Sequence, residues 1–191
     1  MTAPQRRNPQ TRQAILDAAF ELCRELGYAA VTIEGVSARA GVGKQTIYRW
    51  WPSKGLVVLE AFRDHLDPHL VTPPGTDRPL AGLPELLRRT TELLSHPRYG
   101  RMLADLVAAA QHDPALAEEF HERVYRPNRD GTLDRVRRAQ KAGELRDLDP
   151  DLVADLLFGP LWFRLLLMRE PPTPAYAEQV VDAVLEGLRV R

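Results

Sequence analysis

The chain has a single cysteine, Cys23, so no internal disulfide can form, and a reducing compartment is expected. Beside an apolar helical stripe, Cys23 reads as a small buried side chain rather than a redox group. Long apolar runs are missing as well. The richest stretch, DLLFGPLWFRLLLMR near residue 160, is interrupted by Gly159, Pro160 and Arg164 and is too short to span a bilayer. The N-terminal MTAPQRRNPQTRQ has arginines with no apolar core of a signal peptide behind them. A cytoplasmic protein with no membrane partner is the expectation.

Catalytic and metal signatures are also missing. There is no phosphate-cradling glycine loop, no nucleophile elbow and no plausible Cys–His pair. The five histidines are scattered. His65 and His69 stand four apart with Asp64 and Asp67 nearby, but Pro68 between them disturbs the helix that such spacing needs. No metal, no cofactor and no enzymatic activity are therefore expected.

The composition, with 44% apolar and 27% charged residues, is that of an ordinary globular chain, and 191 residues suffice for one domain or for a small domain fused to a larger one. The net charge is zero, but it is unevenly spread. Residues 1–55 carry eight Lys and Arg against four acids, a net of +4, so the remainder carries −4. A basic N-terminal quarter suggests a polyanion partner at that end.

No segment alternates like a strand, and apolar residues recur at helical spacing throughout, which predicts an all-α fold. A first helix is predicted from Pro9 to Leu26, with Ile15, Ala18, Ala19, Leu22 and Leu26 on one stripe and Gly27 as its stop. Thr32 stands as N-cap before a short helix that Gly41 terminates. A second short helix begins near Gly43, and Pro52 ends it. Ser53 then caps a helix running to about Leu66. Two short helices around a tight glycine turn describe a helix-turn-helix. The Pro- and Gly-rich TPPGTDRPLAGLP, 72–84, reads as a flexible connection. Further helices are predicted at about 84–95, 98–111, 114–142, 150–169 and 174–189. The long 114–142 segment is expected to break around RPNRDG, and Gly159-Pro160 to kink or loosen 150–169. In the last helix, Tyr176, Val180, Val184 and Leu188 form the expected stripe.

The stretch GVGKQTIYRWWPSKG, 41–55, sets three large aromatic rings beside Lys44, Arg49 and Lys54 and contains no acid. Ile47 and Trp51 are four apart and share a helix face, so they are expected to anchor the helix inward. The other face then carries Lys44, Gln45, Thr46, Tyr48 and Arg49, side chains suited to base edges and phosphates. Lys54, in the first turn of the next helix, and Thr32, at another helix start, are suited to phosphate. Arg39 reads as a solvated helix charge more readily than as a phosphate ligand. Trp50 either wedges against the sugar-phosphate surface or closes the small core.

The stretch TRQAILDAAFELCRELGYAAVTIEGVSARAGVGKQTIYRWWPSKGLVVLEAF resembles the DNA-binding domain of the TetR family of transcriptional regulators. The resemblance rests on the Ile-x-x-Ala-Ala first helix, GY at its end, Thr32, AGV at the turn, TIY in the second short helix, and SK followed by Leu56. GELR and DPDLVADLLFGPLWFRLLL resemble one C-terminal type in that family. The resemblance implies an all-helical homodimer, with a three-helix homeodomain-like head at about 1–55, the start of a linking helix at 53–70, and a helical-bundle ligand-binding and dimerisation domain at 56–191. It implies a double-stranded DNA operator as partner and an unknown small-molecule effector that releases it, most members being repressors. Carried over by motif position, Lys44, Thr46, Tyr48 and Arg49 would contact DNA, with Thr32 and Lys54 on phosphate. Gly43 departs from the family pattern, which often has Ser there, and so lacks the hydroxyl that could touch phosphate.

For an effector pocket the candidates are Leu106, Phe120, His121, Tyr125, Phe158, Trp162 and Phe163, an apolar set with a few polar groups, though each residue type is more often plain core. The last helix is expected to pack across a two-fold axis with 150–169. The rival reading is a helical ligand-binding or protein-interaction module without sequence-specific DNA binding. The intact turn and the basic second helix argue against it.

Overall fold

A computed structural model describes residues 8–68 and 79–188; residues 72–78 of the expected connection, and His69, lie outside the described residues. Every regular element among the described residues is helical. The elements are α1 (Pro9–Leu26), a short 3₁₀ turn (Tyr28–Ala30), α2 (Ile33–Ala40), α3 (Lys44–Trp50) and α4 (Lys54–His65). They continue with α5 (Gly82–Ser95), α6 (Gly100–Ala110), α7 (Pro114–Phe120), α8 (Arg126–Lys141), α9 (Pro150–Phe163) and α10 (Pro174–Leu188). Among the described residues no helix is long and apolar enough to cross a membrane.

The helix starts are set by local chemistry. Asn8 accepts from Gln10 N–H at 3.0 Å, Thr32 Oγ1 from Gly35 N–H at 3.0 Å and Ser53 Oγ from Leu56 N–H at 3.4 Å. Each satisfies one of the N–H groups that a first turn leaves without an intrahelical partner. Gly41 ends α2 at φ 67°, in the left-handed region where only glycine carries no Cβ penalty.

The chain packs as two compact units, one formed by residues up to Leu66 together with Arg101–Phe120, the other by the remainder. In the first unit α1 packs on α2 and α4, α2 on α3, and α4 on α7. Ile15, Leu16, Phe20, Val36, Ile47, Val57, Val58 and Phe62 are almost wholly buried, and a fully buried side chain of this size contributes about 1.5–3 kcal/mol. Gly55 is needed for the close approach of α7, because a Cβ there would lie 2.7 Å from Leu116 Cδ2 and 3.2 Å from Tyr28 Oη. Ser53 Oγ also donates to Asp113 at 3.2 Å, and Asp113 accepts from Leu116 N–H at 3.1 Å, so the starts of α4 and α7 are tied together. The packing therefore does not divide at residue 55. Val57, Val58, Ala61 and Phe62 of α4 are buried in the same unit as α1, which takes that helix into the first unit.

In the second unit α5 packs on α10, α9 and α8, and α9 packs on α8 and α10. Arg129 of α8 bridges to Asp151 at 2.6 Å and Asp155 at 2.8 Å on α9. Two expectations are corrected, and the loosening expected near Gly159-Pro160 is located more closely. The irregularity in 114–142 is a π-helical turn at His121–Tyr125, and RPNRDG lies inside α8, with Pro127 in its first turn where no N–H is needed. The helix from residue 150 keeps Pro160 in its interior and changes to a π-helical turn only at Arg164–Met168, which ends on Arg169 at φ 57°. In α10 the inward residues are Ala177, Val180, Val181, Leu185 and Leu188; Tyr176 and Val184 are half-buried, and the Arg164 guanidinium lies 4.6 Å over the Tyr176 ring. The face is rotated because α10 must cover α5 as well as α9.

Candidate nucleic-acid interface

The turn that joins α2 to α3 is short and closed by its own backbone. Val42 N–H donates to Ser37 O at 3.1 Å, and the Ser37 hydroxyl returns a bond to Val42 O. Gly43 is the N-cap of α3 and offers no side-chain acceptor, as its lack of a side chain requires. The first-turn N–H groups of α3 therefore have no side-chain cap.

The helix is fixed from below by its apolar face. Ile47 is fully buried and Trp51 is 4% exposed. Trp51 Nε1–H donates to Glu60 of α4, and the same carboxylate accepts from Arg12 Nε at 3.0 Å, which joins α1, α4 and the end of α3. Trp50 is half-buried and meets Trp51 edge to face at 5.4 Å. On the other side Lys44, Gln45, Tyr48 and Arg49 are exposed and Thr46 is half-buried. Among the described residues the side chains of Gln45, Tyr48 and Arg49 make no hydrogen bond or ion pair. They are available to an outside partner.

The remaining candidates already have intramolecular partners. Lys44 Nζ pairs with Glu34 of α2 at 2.9 Å, which holds the Glu34 carboxyl below its ordinary range and raises the Lys44 ammonium. Thr32 Oγ1 caps α2. Lys54 Nζ is half-buried, donates to Tyr28 O at 3.0 Å and sits 4.4 Å over the Tyr28 ring. Arg39 pairs with Glu25 of α1 at 2.8 Å. Cys23 is buried, and burial pushes its thiol up to about 11, which suits packing and not redox chemistry. The sequence reading missed Glu34, Glu25 and Glu60. Each meets its partner across a turn or another helix, a relation that spacing along one helix does not reveal.

The effector candidates divide between the units. Leu106 is fully buried and Phe120 half-buried in the first. His121, Tyr125, Phe158, Trp162 and Phe163 belong to the second, where Phe158 and Trp162 are half-buried and the other three exposed. A groove of about 480 Å³ lies between α5 and α10 and is lined by Ala81, Pro84, Glu85, Arg88, Ala177 and Val181 among others, and by none of those candidates.

A short three-helix head whose α2–turn–α3 presents a polar helix over an anchored apolar face is a helix-turn-helix, and the protein is a DNA-binding transcriptional regulator. Residues 15–61 match the family model described as bacterial regulatory proteins of the tetR family, and residues 73–184 match the tetracyclin repressor-like C-terminal domain. The chain belongs to the TetR family. It is 31% identical over 186 residues to the uncharacterised HTH-type transcriptional regulator YdeS of Bacillus subtilis, covering 96% of this chain and 92% of that one. It is 28% identical over 183 residues to the DNA-binding transcriptional repressor TetR of Mycobacteroides abscessus, covering 92% and 93%. The crystal structure of the TetR family transcription regulator SCO0332 superposes with a TM-score of 0.71 at 33% identity, covering 93% of this chain and 98% of that one. Regulators of this family bind DNA operators and act as dimers.

Proposed function

We propose that this regulator is a cytoplasmic repressor whose dimer reads a palindromic operator with α3 and releases it when a small-molecule effector binds. The observation that carries the reading is the two-sided build of α3, with Ile47 and Trp51 buried beneath exposed Gln45, Tyr48 and Arg49. A recognition helix lies in the major groove with its N-terminal residues on base edges. Arg49 and Lys44 match guanine O6 and N7, Gln45 matches adenine, and the Thr46 methyl suits thymine. The Tyr48 hydroxyl is assigned to phosphate. Thr32 keeps its hydroxyl proton while capping α2, and Lys54 keeps two ammonium protons beyond the one given to Tyr28, so both can still serve phosphates.

A second copy of the chain is assigned to the apolar stripe of α9 and the turn after it. Leu152, Leu156, Phe163 and Leu167 are exposed there, Leu167 by 70%, at spacings that keep them on one side. Two heads related by such a two-fold axis would meet half-sites about 34–36 Å apart, one helical turn, or somewhat more. For the effector, Phe158 and Trp162 flank Gly159-Pro160, and the proline leaves the Leu156 carbonyl without its helical donor. That weak point can open space for an apolar molecule.

The test is selection of bound fragments from random duplex DNA, followed by titration of the enriched duplex at fixed salt. A palindrome bound by wild type and weakened by Arg49→Ala supports the reading. Failure of the dimer to enrich any sequence overturns it. A thermal-shift screen then finds the effector, because a ligand of the folded state alone raises the melting temperature; a hit that leaves the operator bound contradicts release.

A further inference from the structure

The recognition helix begins with a cation whose partner in the free protein is internal. Lys44 is the first residue of α3, where the positive end of the helix dipole disfavours an ammonium. Glu34 sits in the first turn of α2, where an anion is favoured, two residues after the proposed phosphate ligand Thr32. Their 2.9 Å pair crosses the turn, with Lys44 53% and Glu34 63% exposed. Among the described residues this is the one ion pair made by a side chain of α3. Both partners therefore stand on the face that the DNA reading assigns to the operator, and one of them carries the wrong charge for a polyanion.

We infer that Glu34 competes with DNA for Lys44 and so limits the affinity of the head. It holds the ammonium in the free protein and must give it up when the head docks. The inference rests on the DNA-reading assignment of α3. In the complex Glu34 is left unpaired beside the phosphates, so every duplex meets the same penalty. A lone phosphate replaces one carboxylate contact with another anionic contact and gains little. Guanine O6 and N7 together take two donors from one ammonium, so a correctly placed base pair compensates best. The pair thus lowers affinity for every duplex by a similar factor, and a correctly placed base pair offsets that loss best. It also blunts the salt response, because Lys44 comes to the DNA already neutralised and its phosphate sheds less net counterion.

A double-mutant cycle on the full-length dimer tests this. Wild type, Glu34→Gln, Lys44→Ala and the double variant are titrated by fluorescence anisotropy against the enriched duplex and a random duplex of equal length, at several salt concentrations. An exposed ion pair shifts an equilibrium about 1.4- to 5-fold. Glu34→Gln is accordingly expected to tighten binding of the random and the enriched duplex alike, by about two- to fivefold, and to steepen the slope of log K against log salt by up to about one. In the Lys44→Ala background the same change should tighten binding clearly less, because only the repulsion between Glu34 and the phosphates is left to relieve. Equal tightening in both backgrounds overturns the competition and leaves only general repulsion. Weakening by Glu34→Gln overturns it too, since Glu34 would then position Lys44 for DNA. If Lys44→Ala leaves wild-type binding unchanged, the reading of α3 falls and the inference with it; if Lys44→Ala weakens binding while Glu34→Gln has no effect, the inference falls alone. Thermal melting of each variant confirms that the fold is retained.

Discussion

In the first unit, α3 turns Gln45, Tyr48 and Arg49 outward over a buried Ile47; in the second, α9 turns Leu152, Leu156 and Phe163 outward over buried Val153, Leu157 and Leu161. Both are helices held by one apolar face. They differ in what the free face offers, polar tips in one and bare aliphatic and aromatic surface in the other. Inward packing fixes where each helix lies, and the outward residues suit α3 to a polyanion and α9 to another apolar surface, the partners proposed for them. The anchors should therefore be separable from the readers by mutation.

The largest effect should come from removing an anchor. Trp51→Ala deletes a ring that is 4% exposed and leaves Glu60 without its indole donor. A loss of about 3–5 kcal/mol is expected in urea unfolding, and a change below about 1 kcal/mol would mean that Trp51 is not an anchor. Next comes the apolar face of the second unit. Leu156→Glu places a charge where a partner surface would bury it, so the dimer should dissociate about a hundredfold more readily by analytical ultracentrifugation. A dimer of unchanged strength would move the interface elsewhere. Among the readers, Arg49→Ala should weaken operator binding about ten- to a hundredfold and relax discrimination at one base position, with melting unchanged.

Smaller effects probe the scaffolding of each unit. Ser53→Ala removes the cap of α4 and the bond to Asp113, and about 1 kcal/mol of stability should go with them in urea unfolding. In the second unit the Arg88 and Arg89 side chains hold the Glu85 carboxyl down at about 2. A depressed carboxyl contributes stability above its unfolded value near 4.5 and loses it as pH falls towards 2. Because the Glu85 side chain is 30% exposed, only a fraction of 1 kcal/mol is at stake. Glu85→Gln should flatten the acid limb of stability between about pH 4.5 and 2, and an unaltered limb would remove the role.

The same contrast explains what was legible in the sequence. In the first unit the decisive signals are short-range. Thr32, Gly41, Gly43 and Ser53 mark helix ends through bonds to backbone three residues away or through backbone freedom, and the structure places the ends where those residues predict. The inward pair Ile47 and Trp51 follows from four-residue spacing alone. In the second unit the departures are long-range. The π-helical turns at His121–Tyr125 and Arg164–Met168 carry no Pro or Gly of their own, so neither turn was legible where it occurs. The buried face of α10, which starts at Pro174, depends on α5, which starts at Gly82. The Lys44–Glu34 and Arg39–Glu25 pairs likewise join different helices, which the pattern of any one helix cannot announce.

The central claim is that α3 reads DNA with side chains distinct from those that hold it in place. The most direct measurement is the salt-dependent affinity of wild type and Arg49→Ala for a duplex enriched from random sequence. Wild type should bind it far more tightly than a random duplex, with log K falling steeply against log salt. Arg49→Ala should lose most of that preference while melting at the wild-type temperature. A salt-insensitive affinity, or a preference untouched by Arg49→Ala, would contradict the account.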